Sequence, residues 1–419
     1  MKKYLFSFLI LLLLPGASQA EKHFYSVDLS ASTEYTDNLY LTEEDKEEDW
    51  TSLFGGRFSA SRSSRISDLS FQYDFERAQY WRYSKNNTNR HSFTLSYFRS
   101  ISKHINFSFS NNYYRSEEPI ERNEEIFRER KGKRETYYRY TASGHLSYEF
   151  WKDSALDLGA SLNYLQNKDP TVEDSRIYSE FIRIHKDFTR YFASLGFTFT
   201  QREFETENPV NTWGINSSFG YRLAHNKHIS LNFSAERTQE IGPDAEDYWT
   251  YNSNIAYTYS PTIDQTYGCS LGFYYRKADG SSDKNKGITY SLNYAKHYKH
   301  TSFSISGSGG YTYEYGEAEN NGFTEYYLIN GSISHQFSRT LSGSLGAYYR
   351  IEDFKQRENK QTKTYSFSAG LHKKLLKKLS LSVDYNYRKA DADVERDSYT
   401  ENVITIKLVY NLWQGKSIW

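Results

Sequence analysis

The stretch His372–Tyr387, HKKLLKKLSLSVDYNY, carries two opposed signals. Its first half, His372 to Leu379, has the charge and leucine spacing of a basic amphipathic helix lying on a membrane surface. Its second half, Leu379 to Tyr387, alternates apolar and polar residues without a break, which is the period of a strand. The surroundings settle the conflict, because the strand period recurs along nearly the whole chain. Phe93, Leu95 and Tyr97 alternate with polar residues, as do Ile105, Phe107 and Phe109. So do Tyr191, Ala193, Leu195, Phe197 and Phe199, and finally Ile404, Ile406, Leu408, Tyr410 and Leu412. In that pattern KKLLKK (373–378) falls where a short turn is due, so a hairpin corner replaces the helix. Asp384 then shares a face with Ser380, Ser382 and Asn386, opposite Leu381, Val383 and Tyr385.

The connections alternate in length. Short turns occur at SRSSR (61–65), RSISKH (99–104), FWKDS (150–154), HKDFTR (185–190) and LAHNKH (223–228). They continue at SPTIDQ (260–265), KHYKH (296–300), FSRT (337–340) and 373–378. Between them lie longer, charged connections: TEEDKEEDW (42–50), SEEPIERNEEIFRERKGKRE (116–135), KADGSSDKNKG (277–287), EYGEAENNG (314–322) and KADADVERDS (389–398). One short turn follows another at roughly 35 to 40 residues, the period of one long hairpin plus a loop. Nine turns and ten loops predict about 20 strands, within a range of about 18 to 22, each about 10 to 14 residues long. The facing of RIYSEFIRIHK (176–186) stays open, because Arg or Glu falls on both of its faces.

Composition narrows the class. Aromatics make up 18% of the chain, with 40 Tyr and 27 Phe, yet mean hydropathy is low. That is too aromatic for disorder and too polar for spanning helices, since no run after residue 20 approaches the roughly 18 apolar residues such a helix needs. The 52 basic and 52 acidic residues cancel, which leaves no nucleic-acid footprint. The single Cys269 cannot form an internal disulfide. Lys2 and Lys3, the apolar run YLFSFLILLLLPG and the small-residue tail ASQA form a cleavable export signal over residues 1–20. The expectation is an all-β chain: a transmembrane up-and-down antiparallel β-barrel over 21–419, without a plug domain, in a Gram-negative outer membrane. Expected partners are outer-membrane lipid and lipopolysaccharide and the barrel-assembly machinery.

Hydrocarbon fixes which face is which. An Arg or Lys facing the bilayer midplane costs about 2–4 kcal/mol, so the aromatic and apolar faces point outward. Paired tyrosines at strand ends, Tyr137 with Tyr138 and Tyr348 with Tyr349, suit interfacial girdles. The opposite face is rich in Ser, Thr, Asn and Gly, with sparser charges. Candidate lumen-facing residues are Arg139, Asp157, Arg222, Asn252, Asn254, Arg276, Arg350, Asp384 and Arg388. Small neutral side chains leave a wide barrel open to water, and the 116–135 connection is the one placed to narrow it by folding inward. TIKLVYNL ends in the alternating aromatic pattern of a barrel's last strand, with QGKSIW as a tail.

A search for chemistry finds little. His145, His297 and His335 have serines nearby, but no G-x-S-x-G nucleophile motif is present, so no enzyme is expected. EEDKEED (43–49) and DADVERD (391–397) lack the glycine-containing spacing of a calcium loop and read as solvated charge. No cofactor is expected.

The stretch SASTEYTDNLYLTEED (30–45), with Tyr35, Asp37, Asn38 and Leu39, resembles the outer-membrane β-barrel porin family found with bacterial exopolysaccharide and exosortase systems. The resemblance implies an outer-membrane conduit or partner in polysaccharide secretion, with polysaccharide-export components as partners. It transfers no site residues. Asp37 and Asn38 also suit a strand's exit into a loop and need no binding role.

Overall fold

The computed structural model describes residues 22–118, 134–169, 174–205, 208–242, 247–279, 284–315, 320–355, 360–393 and 398–418. The expected export signal at 1–20 and residues 119–133 of the long connection lie outside these. Twenty strands are formed among the described residues. They begin with β1 (Lys22–Thr36), β2 (Asp49–Ser63), β3 (Ser67–Tyr80), β4 (Thr88–Ser100) and β5 (Ile105–Ser116). Next come β6 (Tyr137–Trp151), β7 (Ser154–Asn167), β8 (Ser175–Asp187), β9 (Tyr191–Phe204) and β10 (Val210–Ala224). Then follow β11 (Lys227–Glu240), β12 (Asp247–Thr262), β13 (Gln265–Ala278), β14 (Lys284–His297) and β15 (Thr301–Tyr315). The chain ends with β16 (Asn320–Gln336), β17 (Leu341–Phe354), β18 (Lys360–Lys374), β19 (Leu379–Ala392) and β20 (Tyr399–Ile418).

Each strand pairs antiparallel with its neighbours in sequence, and β20 returns to pair with β1 from Lys22↔Ile418 to Thr36↔Val403. The sheet therefore closes and has no free edge, the condition for burying a backbone in hydrocarbon. The strands run from 12 to 20 residues, longer than expected from alternation alone. A tilted strand needs only about 9–11 residues to cross the apolar layer, so the excess stands above and below it. The tail after Trp413 is also part of the wall: past a bulge at Val27/Asp28, Gln414 to Ile418 continue β20 against β1.

HKKLLKKL becomes the corner foreseen for it. His372–Lys374 close β18, and the Leu375 amide reaches the Leu379 carbonyl at 2.9 Å to turn the chain into β19. Leu376 stands exposed at the tip.

Alternation decides the facing throughout. Leu195, Phe197, Ile215, Phe219, Leu231, Ile255, Leu271, Leu292 and Ile329 are exposed on the outer wall, paired with one another or with apolar neighbours across strands. The ambiguous segment 176–186 is resolved by its neighbours. Ile182 and Ile184 meet Phe197 and Leu195 on the outside, and Glu180 joins them there, accepting from the Tyr178 hydroxyl. Arg183 and His185 face inward. The tyrosine pairs divide between faces instead of sharing an interface belt. Tyr138 and Tyr349 point out, whereas Tyr137 and Tyr348 point in, and Tyr137 is buried against Leu165 and Tyr114. Two consecutive strand residues cannot share a face.

Candidate pore lining

Inward-facing side chains of adjacent strands meet side by side, so the lumen wall is built of cross-strand polar pairs. Hydroxyls approach to 2.7 Å at Ser110/Ser143, Ser270/Ser291 and Ser304/Ser332. The Asn232 amide donates to Asn254 Oδ1 at 2.9 Å, and Ser306 donates to Asn330 Oδ1 at 2.9 Å. The wall thus presents hydroxyls and amides already partly satisfied by one another, with remaining lone pairs and protons open to water.

All nine candidate lumen residues lie on the inner face of the ladder, but they do not form one site. Asn252 and Asn254 stand opposite Ser234 and Asn232 on β11. Asp384 faces Gly370, Arg388 faces Ser366, and Arg139 is aligned with Leu165. Arg222 lies among the last, turn-side residues of β10, with its guanidinium over the Phe192 ring and paired with Asp187. Arg276 is buried on the ring of Tyr248, 3.6 Å from its centroid, and lies 4.9 Å from the centroid of Phe323. Arg350 Nη2 lies 2.6 Å from Glu352 Oε1, and both are buried.

Asp157 is the most heavily partnered. Arg183 Nη2 lies 3.0 Å, His185 Nδ1 3.2 Å and His145 Nε2 3.4 Å from its carboxylate, which is 4% exposed. This cluster borders a concavity of about 840 Å³ in the inner wall, lined by Ser61, Ser70, Ser96, Ser108, Ser143 and Thr198 with Phe98 and Phe181. Phe181 stacks on His145, and its ring fills the space a side chain at Gly159 would need. Phe192 lies over Gly220 in the same way. At both positions the missing Cβ on the neighbouring strand leaves the room in which the ring lies.

The other end of the barrel is narrowed from within. The 37–48 connection dips inward, burying Leu39 on Leu53, Ala78 and Tyr80, and Leu41 on Ala390 and Tyr399. Leu41 holds φ at 56°, a region rarely adopted by a branched residue and sustained here by its burial. Asn38 Nδ2 donates to the carbonyls of Thr42 (2.6 Å) and Thr400 (2.9 Å). Asp37 accepts from the backbone N–H and side-chain amide of Asn402. Asp37 and Asn38 therefore tie a loop to the last strand.

Both described ends of the 117–136 connection are also held inside. Arg90 contacts Glu117 at 2.7 Å, Glu118 at 3.0 Å and Glu76 at 3.6 Å. The Tyr80 hydroxyl donates to Glu117 at 2.6 Å, and Arg134 donates to the Tyr80 oxygen and the Leu39 carbonyl. Below lies a polar recess of about 320 Å³ bordered by Asp28, Arg57, Asp74, Glu76, Arg90 and Lys407. Arg90, Glu117, Tyr80 and Arg183 were not among the candidate lumen residues. Arg90 was legible from its phase with Ser92 and Thr94, whereas Glu117 lies in the 116–135 connection expected to fold inward, where no period singles out the residue that anchors it.

Among the described residues the histidines considered above have different partners. His297 Nδ1 meets Ser302 Oγ at 3.0 Å, with no carboxylate on the ring among the described residues. His335 bonds Thr301 on the outer face, and His145 sits on Asp157. Among the described residues no group of three or more His, Cys, Asp or Glu side chains is placed to hold a metal ion.

Closed topology, an apolar outer wall and a polar inner one define the class: an outer-membrane β-barrel, porin-like in build. Residues 311–412, from late β15 into β20, match the family model described as "Putative beta-barrel porin 2", so the resemblance to a β-barrel porin family holds over that part of the chain. The matched segment lies at the opposite end from Tyr35–Leu39. Among solved structures, a mutant of the ferric enterobactin receptor PfeA from Pseudomonas aeruginosa is 9% identical, over 95% of this chain and 81% of that one, with a TM-score of 0.54. The FrpB iron transporter from Neisseria meningitidis is 9% identical, over 95% and 83%, also at 0.54. OprD from Pseudomonas aeruginosa is 14% identical over 93% and 95%, at 0.39. At these identities the likeness is one of fold. Comparison with curated proteins finds no match.

Proposed function

We propose that the chain is a water-filled pore of the Gram-negative outer membrane, with short turns periplasmic and long connections outside. The observation that carries the reading is the inner wall of paired Ser, Thr and Asn side chains on a twenty-stranded frame. Barrels of 16 or more strands enclose more space than such small residues fill. Hydroxyls and amides offer weak, exchangeable hydrogen bonds to a hydrated solute without trapping it, which suits a neutral or weakly charged sugar polymer. The resemblance of residues 30–45 to barrels of exopolysaccharide systems supports export as the direction of use. Reconstitution into planar bilayers tests the pore: stepwise conductance is expected, reduced by oligosaccharide added on the periplasmic side. A barrel silent at all voltages would refute it.

A second reading is favoured by the inward-folded 37–48 connection and the Arg90–Glu117 clasp: a barrel that conducts little and docks envelope partners through its loops. It predicts near-zero conductance and co-purification with polysaccharide-export components.

A further inference from the structure

The outer wall of β2 to β6 carries an unbalanced charge close to the long connections. Arg77 on β3 and Arg115 on β5 project from the same face as Phe75, Phe93 and Tyr113, near the ends of their strands. Asn89 holds both. Its Oδ1 accepts from Arg77 Nη1 at 3.1 Å, and its carbonyl accepts from Arg115 Nη1 at 2.7 Å. His91, paired with Arg115 across the ladder, bonds the Tyr73 hydroxyl through Nδ1 at 2.8 Å, which leaves Nε2 for another partner. Arg115 also lies 6.0 Å from the centroid of Tyr138.

Neither guanidinium meets a carboxylate among the described residues, and no Asp or Glu occupies an outward position on β2 to β6. The contrast with the next residue is sharp. Arg90 faces inward and is given three carboxylates. Cations left unpaired beside lipid are tolerated near an interface only where water or an anion reaches them. Two guanidiniums held on one asparagine bring two cations to the same place on the wall, and guanidinium N–H groups favour phosphate.

We propose that Arg77, Arg115 and His91 bind a phosphate of a phosphorylated glycolipid in the outer leaflet. This rests on the reading that the long connections face outward. Aromatic side chains of Tyr73, Phe75 and Tyr138 flank the cations and would cover the sugar and upper acyl region of the same molecule.

The test uses the full chain purified in detergent and native mass spectrometry with diphosphorylated lipid A, a phosphate-free glycolipid of equal acyl length, and inorganic phosphate. Arg77→Gln/Arg115→Gln is expected to lose about a hundredfold in retention of lipid A, about tenfold for each of the two charge-assisted contacts removed. Arg77→Lys/Arg115→Lys is expected to keep part of it, and the phosphate-free glycolipid to bind both forms alike. Unchanged heat-modifiable migration on gels shows that the variants are folded; should the double variant not fold, Arg77→Gln alone is read. Equal retention of lipid A by wild type and the Gln variant overturns the proposal. Inorganic phosphate binding as tightly as lipid A overturns it in favour of a soluble anion. Because binding is read in detergent, it is independent of loop orientation. That orientation is tested separately by protease access to the 37–48 connection on whole cells.

Discussion

Arg90 Nη2 lies 2.7 Å from Glu117 Oε1, with the two side chains 9% and 1% exposed, so a cation on the wall of β4 clasps the base of the longest connection. Its energy is asymmetric. Removing the arginine leaves the buried Glu117 without the cation that pairs with it, and breaking a buried pair in this way costs about 3–5 kcal/mol. Arg90→Met is therefore expected to free the loop base, lower the unfolding midpoint in urea and raise single-channel conductance. Adding Glu117→Gln and Glu118→Gln to the same chain should recover much of the stability while the conductance stays high. Stability and conductance recovering together would show that the clasp does not restrict the mouth.

Asp157 has a different role, because its partners Arg183, His145 and His185 all stand in the lumen wall. Asp157→Asn removes their shared carboxylate and makes the short-turn half of the lumen more positive. The reversal potential under a KCl gradient is expected to move toward anion selectivity, with unitary conductance little changed. An unmoved reversal potential would place the ion path away from this wall.

The barrel was legible in the sequence for a physical reason. Lipid penalises misplaced outward residues, so most strands declare their face, β8 with Arg or Glu in both phases excepted, and Asp384 could be assigned inward from its phase with Ser382 and Asn386 alone. What happens inside the mouth carries no such period. The Asp37–Asn402 tie joins residues 365 apart, and Arg90 meets Glu117 across 27 residues of hairpin, pairings that alternation does not encode. The same blindness misplaced Tyr137 and Tyr348. A belt was expected from their composition, whereas their parity sends them inward.

Facing itself can be tested on adjacent residues of one strand. Leu231 is 55% exposed on the outer wall, and Asn232 bonds Asn254 in the lumen. Leu231→Arg is expected to cost about 2–4 kcal/mol in folding into lipid vesicles, near the midplane value for arginine. Asn232→Arg should cost far less, since its charge reaches water. Denaturant titration in vesicles reads both, and equal costs would mean that the two faces are not lipid and water.

Gly159 offers the sharpest probe of the concavity. Its lack of a side chain is what lets the Phe181 ring lie flat against the wall and stack on His145. The backbone there is an ordinary strand, so a larger residue meets the ring and not the ladder. Gly159→Val is expected to lift Phe181 off the wall into the lumen, leaving closure of the barrel intact. Conductance should fall, and fall further for large solutes than for KCl, because a raised ring obstructs by size. Gly159→Val/Phe181→Ala removes the obstruction and should restore the original conductance. If conductance fell without that rescue, the loss would lie in strand pairing between β7 and β8 and not in a displaced ring.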